Sequence, residues 1–524
     1  MIETALSRLC DKLPILSHVG EGDPLVSHLA YDSRHVQKGS AFFALPGIHV
    51  DGHRFIPQAI AAGAVAVFCE TIPEPLPETQ PAAAVTPVYI QVSDCRNAMS
   101  SVAARFNRRP SRELTVIGVT GTDGKSTTTW LIDQLLTLQE EESGFVSTVM
   151  TKQDVIPRKN EFRQSTPEAP EIQGFLRAMV DNGKTFAVVE ATSHGLSCRT
   201  SRLKDVDFHV AVFTNITHEH LEFHGSFEQY RSDKAQLFRA LDRTAKRLEN
   251  PDNPIFGVIN LDDPNAYYFQ HATRQRVLTY SVESSDADLY ADQIVCEASG
   301  STCVFHWGRE ARPVQIPLAG RFNVENVLAA VLTTAHVLER NPLDIVETVP
   351  LLKPLPGRMH VVSRELPWTP IVDYAHTPGS FSKILPQMRQ DTTGRLILVF
   401  GSAGERDREK RAMQGRIAAE HADLIILADE DPRGEDPLSI LEEIAAGVEE
   451  AAPQMQRLQN LFLIPDRREA IRKAIALAKP RDTVMFLGKG HESSILYADS
   501  VLEWDETRVV AEEIARSHRE ETER

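Results

Sequence analysis

The sequence predicts an α/β protein of three domains, with a mostly parallel P-loop-like sheet in the middle and a Rossmann-like sheet at the end. Three observations lead there. An apolar, β-branched run, Leu114–Thr120, passes through a glycine-rich turn into a helical pattern at Trp130–Glu141. From Arg395 onward, a strand runs into a polar loop three times, with helical stretches between. At 524 residues the chain should hold about three domains by the usual domain size.

Composition narrows the class. With 42% apolar residues each domain can bury a core, and the net charge of −17 argues against nucleic acid or an anionic membrane surface as partner. Six cysteines (Cys10, Cys69, Cys95, Cys198, Cys296, Cys303) are scattered with no C-x-x-C pair, as in reduced thiols of a cytoplasmic protein. The N-terminus reads as a short amphipathic helix rather than a signal peptide. No apolar run approaches the ~20 residues of a membrane span, so no membrane insertion is expected. A monomer is expected.

Residues 1–112 read as a small α/β module, with strands at Ala64–Cys69 and Val88–Val92 and a Pro/Ala-rich surface loop, Pro73–Pro87, between them. Taken singly, Ser33 and His53 are turn residues.

Residues 113–344 carry the clearest chemistry. Gly121-Thr-Asp-Gly-Lys-Ser-Thr (Gly121, Thr122, Asp123, Gly124, Lys125, Ser126, Thr127) sits between strand and helix, so backbone N–H groups and a helix N-terminus face an anion. Lys125 would reach the terminal phosphates of ATP and Ser126 would ligate Mg²⁺. The common P-loop has a glycine where this chain has Val119, so the spacing is a shorter form. Thr185–Glu190 is a buried strand delivering a carboxylate to the edge where open α/β sheets bind ligands. Phe208–Ile216 delivers His218, Glu219, His220, Glu222 and His224. With neither a nearby cysteine nor His-Glu-x-x-His spacing, nucleotide-bound Mg²⁺ helped by Glu190 and one histidine is favoured over zinc. Lys234 by itself reads as a solvated helix lysine. Ile255–Asn260 and Val277–Tyr280 continue the sheet, and a helix starts after Gly320.

Residues 345–524 hold the three strand-to-loop units, ending in Gly401–Asp407, Asp429–Pro437 and Gly488–Glu492, with a helix at Arg467–Leu477. Without Gly-x-Gly-x-x-Gly a dinucleotide cofactor is not expected. Loops rich in both signs of charge suit a zwitterionic substrate such as an amino acid.

The motifs Thr120-Gly-Thr-Asp-Gly-Lys-Ser-Thr-Thr, Ser165-Thr-Pro, Glu190-Ala-Thr-Ser-His-Gly-Leu, Thr214–Gly225, Gly320-Arg-Phe-Asn-Val-Glu-Asn, Pro356-Gly-Arg-Met, Val372-Asp-Tyr-Ala-His-Thr-Pro and Gly488-Lys-Gly-His-Glu resemble one family over nearly the whole chain. That family is the Mur ligases, most closely the MurE branch, which adds the third residue of the peptidoglycan stem peptide. The resemblance implies an N-terminal domain for the UDP-muramoyl substrate, a central ATP domain and a C-terminal amino-acid domain. It implies UDP-N-acetylmuramoyl-L-Ala-D-Glu as acceptor, a diamino acid as nucleophile, and ATP with Mg²⁺. The D-Glu carboxylate is phosphorylated and the amine then attacks the acyl phosphate.

Residue by residue, the resemblance makes Glu190 and His220 metal ligands and Lys234 a lysine that becomes carbamylated to support a second Mg²⁺. Asn323, Arg358, Asp373, Tyr374 and His376 match nucleotide contacts. Ser33, Ser165, Thr166, Ser193 and Arg199 match positions near the UDP-muramoyl peptide. Arg406, Glu430, Asp431, Arg433, Gly488 and Glu492 match the amino-acid pocket. Two departures stand out. His218-Glu-His-Leu replaces the family's Arg-Asp-His-Leu. Glu430-Asp-Pro-Arg replaces the Asp-Asn-Pro-Arg of diaminopimelate-adding members. An anion at Asp431 would disfavour a second carboxylate, which tilts the expectation towards lysine or ornithine. A MurF-like or folylpolyglutamate synthetase-like ligase is the alternative within the class. A P-loop switch or transport ATPase is the alternative outside it.

Overall fold

The computed structural model describes residues 3–47, 50–74, 76, 86–160, 162, 165–217, 221–247 and 254–522, the side chains of 221, 222, 521 and 522 excepted. The chain divides into two compact units, Met1–Tyr280 with Leu332–Arg340, and Ser281–Val331 with Asn341–Arg524.

Besides a short antiparallel pair, Thr4–Ala5 with Leu25–Val26, the first unit contains two larger sheets. The smaller has the order β1 (Ile15–Val19), β5 (Val88–Val92), β4 (Ala64–Cys69), β3 (Ser40–Phe43), β2 (His28–Ala30), parallel except for β1. Its apolar alternation fills two faces: Phe43, Phe68 and Ile90 on one, packed on α1 (Cys95–Phe106), and Phe42, Val67 and Tyr89 on the other. Asp94 caps α1 by accepting from the Asn97 N–H at 2.9 Å. The expected loop at Pro73–Pro87 lies mostly outside the described residues.

The larger sheet has eleven strands, of which those that frame the site are β6 (Thr115–Thr120), β7 (Ser143–Val146), β8 (Met150–Lys152), β9 (Phe186–Glu190), β10 (Val210–Phe213), β11 (Phe256–Asn260) and β12 (Arg276–Ser281). The order β8-β7-β9-β6-β10-β11-β12 puts β6 in the middle of these seven, among which β8 alone runs antiparallel to its neighbour. Strands β6, β9, β10 and β11 are buried throughout, as the near-continuous Val/Ile runs of a doubly covered parallel sheet require. Helices α2 (Lys125–Leu138), α3 (Ala169–Asp181) and α4 (Phe227–Arg247) pack against it. Helix α2 starts five residues before the expected Trp130, because the glycine turn itself supplies its first turn.

In the second unit, a meander of Leu289–Glu297, Gly300–Trp307 and Glu310–Ile316 precedes a six-stranded sheet. The strands that position the site are β13 (Thr369–Asp373), β14 (Leu396–Phe400), β15 (Leu424–Leu427) and β16 (Thr483–Leu487), in the parallel order β13-β16-β14-β15. Helices Glu409–His421 and Pro437–Ala451 cover one face and α5 (Arg467–Leu477) with α6 (Glu506–Thr522) the other. Each crossover is a strand–loop–helix unit, so the polar loops expected from the sequence gather at the carboxyl edge of the strands.

Candidate active site

The turn after β6 is fixed by chemistry that only glycine permits. A Cβ on Gly121 would lie 1.9 Å from Thr214 Oγ1, and Gly124 opens α2 with φ of 79°. The loop after β10 stitches the turn in place. Asn215 O accepts from the Thr122 N–H at 2.8 Å, Asn215 Oδ1 from the Asp123 N–H at 3.0 Å, and Asp123 O from Thr214 Oγ1 at 2.6 Å. Lys125 Nζ donates to Thr122 O at 2.7 Å, folding the cation back over the turn. Thr127 lies in the first turn of α2.

The carboxylate expected at the end of β9 meets this turn. Glu190 Oε2 accepts from Ser126 Oγ and from the Thr148 N–H, both at 2.7 Å, and Oε1 accepts from Thr148 Oγ1 at 2.9 Å. Ser126 and Glu190 therefore present hard oxygen donors side by side, which fits Mg²⁺ completed by water and phosphate oxygens. Among the described residues there is no cluster of three or more His, Cys, Asp or Glu able to hold a metal. Thr148 had no motif to announce it.

Helix α4 turns Tyr230, Asp233, Lys234 and Leu237 inward, an i, i+3, i+4, i+7 set. Lys234 is 1% exposed, so reading it as a solvated helix lysine is wrong. Its Nζ donates to Gly121 O and sits 4.5 Å from the Tyr230 ring, while the Tyr230 hydroxyl is 3.0 Å from Thr122 Oγ1. The lysine thus abuts the phosphate turn from below.

His224 has a role that requires no metal. Its Nδ1–H donates to Asp233 Oδ2 at 2.7 Å, which leaves Nε2 to accept from Ser193 Oγ at 3.0 Å. His218, Glu219 and His220, with the proposed metal ligand among them, lie outside the described residues.

Of the expected UDP-muramoyl positions, Thr166 and Ser193 gather near the end of β9. Thr166 Oγ1 is 2.8 Å from Thr192 Oγ1, and a Cβ on Gly195 would lie 2.6 Å from Thr166 Cγ2. Ser165 is exposed next to Thr166. Arg199 Nη1 donates to Phe223 O at 2.7 Å. Ser33 is buried in the smaller sheet's periphery, donating to Gln58 Oε1 at 3.0 Å. His53 joins Asp51 to the Glu70 N–H, a local clasp at the end of β4.

In the second unit, Asp373 closes β13. Its carboxylate accepts from the Met359 and Ala375 N–H groups, each at 2.8 Å, and burial pushes its pKa up. The Arg358 guanidinium lies 4.7 Å from the Tyr374 ring centroid, and Tyr374 OH donates to Glu492 Oε1 at 3.3 Å. His376 Nδ1 is 2.9 Å from Tyr374 O, and burial lowers its pKa, leaving a neutral imidazole. Asn323 Nδ2 donates to Ala319 O at 2.7 Å.

The amino-acid set divides among the loops after β14 (Arg406), β15 (Glu430, Asp431, Arg433) and β16 (Gly488, Glu492). Lys489, fully buried, joins the last two: Nζ reaches Asp431 Oδ1 at 2.9 Å and Glu492 Oε2 at 2.6 Å. Asp431 Oδ1 also accepts from the Leu496 N–H at 3.0 Å. Asp431 is therefore not the bare anion assumed, since it shares the Lys489 ammonium with Glu492, and the charge argument against a second carboxylate is weakened. Glu430 is buried, with no hydrogen-bond partner for Oε2 among the described residues, and burial pushes its carboxyl up to about 7. A Cβ on Gly488 would lie 3.1 Å from that oxygen. Arg433 sits at φ 54° and its backbone N–H donates to Leu496 O at 2.8 Å; Arg406 is exposed.

A residue that sequence reasoning missed holds both loops. Arg467, buried in the first turn of α5, donates to Asp429 O at 3.0 Å, to Leu487 O at 2.7 Å and bidentately to Glu506. Nothing in Asp466-Arg-Arg-Glu distinguishes it from a solvated helix arginine.

Comparison with known proteins gives the family. Residues 25–107 match the Mur ligase family, catalytic domain; 119–334 match the Mur ligase middle domain; and 357–490 match the Mur ligase, glutamate ligase domain. The chain belongs to the Mur ligase family. It is a ligase of peptidoglycan precursor synthesis.

The UDP-N-acetylmuramyl-tripeptide synthetase of Treponema denticola is 45% identical, covering 94% of each chain. A UDP-N-acetylmuramoyl-L-alanyl-D-glutamate–2,6-diaminopimelate ligase of Geobacillus thermodenitrificans is 37% identical over 99% of this chain and 100% of its own. A solved structure of a ligase of that latter name superposes with a TM-score of 0.68 at 30% identity, covering 98% of this chain and 99% of its own. A MurF ligase from Thermotoga maritima in complex with ADP shares the fold, at 18% identity and a TM-score of 0.60, covering 95% and 99%.

Proposed function

We propose that the protein joins a diamino acid to the D-Glu carboxylate of UDP-N-acetylmuramoyl-L-Ala-D-Glu, using ATP. The observation that carries the reading is the meeting of Lys125, the Ser126–Glu190 pair and buried Lys234 around one glycine turn. Lys125 would exchange the Thr122 carbonyl for the γ-phosphate, and the turn's N–H groups would receive the other phosphate oxygens. Mg²⁺, held by Ser126 and Glu190, would neutralise charge on the transferring phosphoryl group. Transfer to the D-Glu carboxylate makes an acyl phosphate. The amine then attacks its carbonyl carbon, the C–O bond to phosphate breaks, and the amine proton passes to a base.

The amino-acid loops suit a zwitterion: Arg433 and Arg406 offer guanidinium forks to a carboxylate, and Glu430 and Glu492 face an ammonium. With Asp431 paired to Lys489, lysine, ornithine and meso-diaminopimelate are all compatible with the charges. Phosphate release with the UDP-muramoyl dipeptide and a panel of amino acids tests the reading. Turnover should need ATP, the dipeptide and one diamino acid together. Hydrolysis independent of the dipeptide, or acceptance of a UDP-muramoyl tripeptide in its place, would overturn it.

A further inference from the structure

Away from the phosphate turn, the first unit holds a second cationic cavity that the proposed reaction does not use. It lies where the C-terminal end of α1 and the turn Pro110–Arg112 face the loop before β10 and the end of α4. Its volume is about 140 Å³, and it is lined by Arg105, Arg109, Arg112, Arg247, Asp205 and Asp207. Four guanidiniums against two carboxylates leave two positive charges in surplus.

The carboxylates are already occupied. Asp207 is bonded by Arg247 Nη1 at 2.7 Å and Arg112 Nε at 3.3 Å, and Asp205 accepts from Ser101 Oγ at 2.9 Å. The remaining arginines are under-served. Arg105 Nη1 donates to Leu9 O at 3.3 Å but its Nε is buried without a hydrogen-bond partner, and Arg109 has no carboxylate within ion-pair distance, in both cases among the described residues. Burial and the neighbouring Arg112 and Arg105 push the Arg109 guanidinium below its ordinary value. The backbone is strained to place it: Arg108 and Arg109 take successive left-handed conformations, φ 59° and 52°, held by hydrogen bonds back to Arg105 O and Ala104 O.

We propose that this cavity is a second anion site, separate from the phosphate turn, that takes one phosphate-type dianion, either free phosphate or the head of a phosphate monoester. The surplus charge matches a dianion, and guanidinium forks match its oxygens. The volume has room for about four or five waters at ~30 Å³ each, so it suits a single oxyanion head. The occupant would bridge α1 of the smaller sheet to the loop feeding β10, whose far end supplies Thr214 and Asn215 to the phosphate turn. Binding there would brace the two sheets against each other.

The test uses the full-length protein with the phosphate turn masked by a saturating non-hydrolysable ATP analogue and Mg²⁺. Inorganic phosphate and glycerol 3-phosphate are titrated by calorimetry. Arg109→Ser should weaken binding at least 10-fold, and Asp205→Asn, which keeps an acceptor for Ser101 while removing a like charge, should tighten it severalfold. Binding of inorganic phosphate alone assigns free phosphate; equal binding of both assigns a monoester head. Should Arg109→Ser not fold, Asp205→Asn carries the test alone. Affinity unchanged by Asp205→Asn, or no anomalous peak between Arg105 and Arg109 in tungstate-soaked crystals, would overturn the site.

Discussion

At the scale of single residues, Glu430 and Lys234 carry the sharpest consequences. Glu430 is a buried acid whose pKa rises from 4.5 to about 7. The folded state therefore holds a proton that the unfolded chain releases, so the group's contribution is fully present below about pH 4.5 and is lost as pH rises through about 7. Ionised, it costs on the order of 3 kcal/mol, at about 1.36 kcal/mol per pKa unit over about 2.5 units. Glu430→Gln should accordingly stabilise the ligand-free protein at pH 8 and leave it nearly unchanged at pH 5 in denaturant unfolding. An equal effect at both pH values would disprove the assignment.

Lys234→Ala should be nearly inactive, with partial rescue by acetate or formate, if the working form is the carbamate. A ¹³C carbamate resonance in wild type supplied with labelled bicarbonate, absent in the variant, is the direct measurement. Rescue failing together with that resonance being absent would leave an unmodified lysine. Legibility was uneven here. Lys125, Ser126 and Glu190 declared themselves through spacing and strand ends. Lys234 did not, because a lysine inside a polar helix looks the same whether its face is wet or pressed against Gly121.

At the scale of elements, the parallel strands and the helix after the glycine turn were legible because both faces of the sheet are covered, which writes continuous apolar runs into the chain. The start of α2 was not, since Lys-Ser-Thr-Thr-Thr has low helix propensity and is held helical by its surroundings. The clamp by Arg467 was also hidden, because it is defined only by elements far apart in sequence: α5, the ends of β15 and β16, and Glu506 of α6. This clamp fixes the residues immediately before Glu430 and Gly488. Arg467→Lys keeps a charge but loses the fork, so it should raise KM for the amino acid about 10-fold or more while KM for ATP and for the dipeptide stay put. Because buried backbone carbonyls at Asp429 and Leu487 lose donors, a loss of about 1–3 kcal/mol in stability should accompany it. A uniform fall in kcat with unchanged KM for the amino acid would show that the clamp does not set that pocket.

At the scale of the molecule, the sequence suggested three domains, and the family matches cover three segments, yet the chain packs as two compact units. The smaller sheet and the P-loop-like sheet share one unit, tied by contacts such as Tyr31 OH to Glu171 Oε1 at 3.0 Å and Ser201 Oγ to Asn97 Oδ1 at 3.1 Å. Such ties come from single polar residues with no periodicity, so composition and pattern could not announce them.

The division has a thermodynamic consequence. Each unit encloses its own apolar clusters, Val116 to Phe269 in the first and Ile371 to Ile514 in the second. Calorimetric unfolding should therefore resolve two transitions. The accepted diamino acid, whose expected contacts are all in the second unit, should raise only the transition that Arg467→Lys lowers. The UDP-muramoyl dipeptide, expected at Ser33, Thr166 and Ser193, should raise only the other. At 100 times Kd each ligand contributes about 2.7 kcal/mol, which at about 2–4 °C per kcal/mol for bodies of this general size is a shift of roughly 5–10 °C. One transition moved equally by both ligands would mean that the two units melt as a single cooperative body.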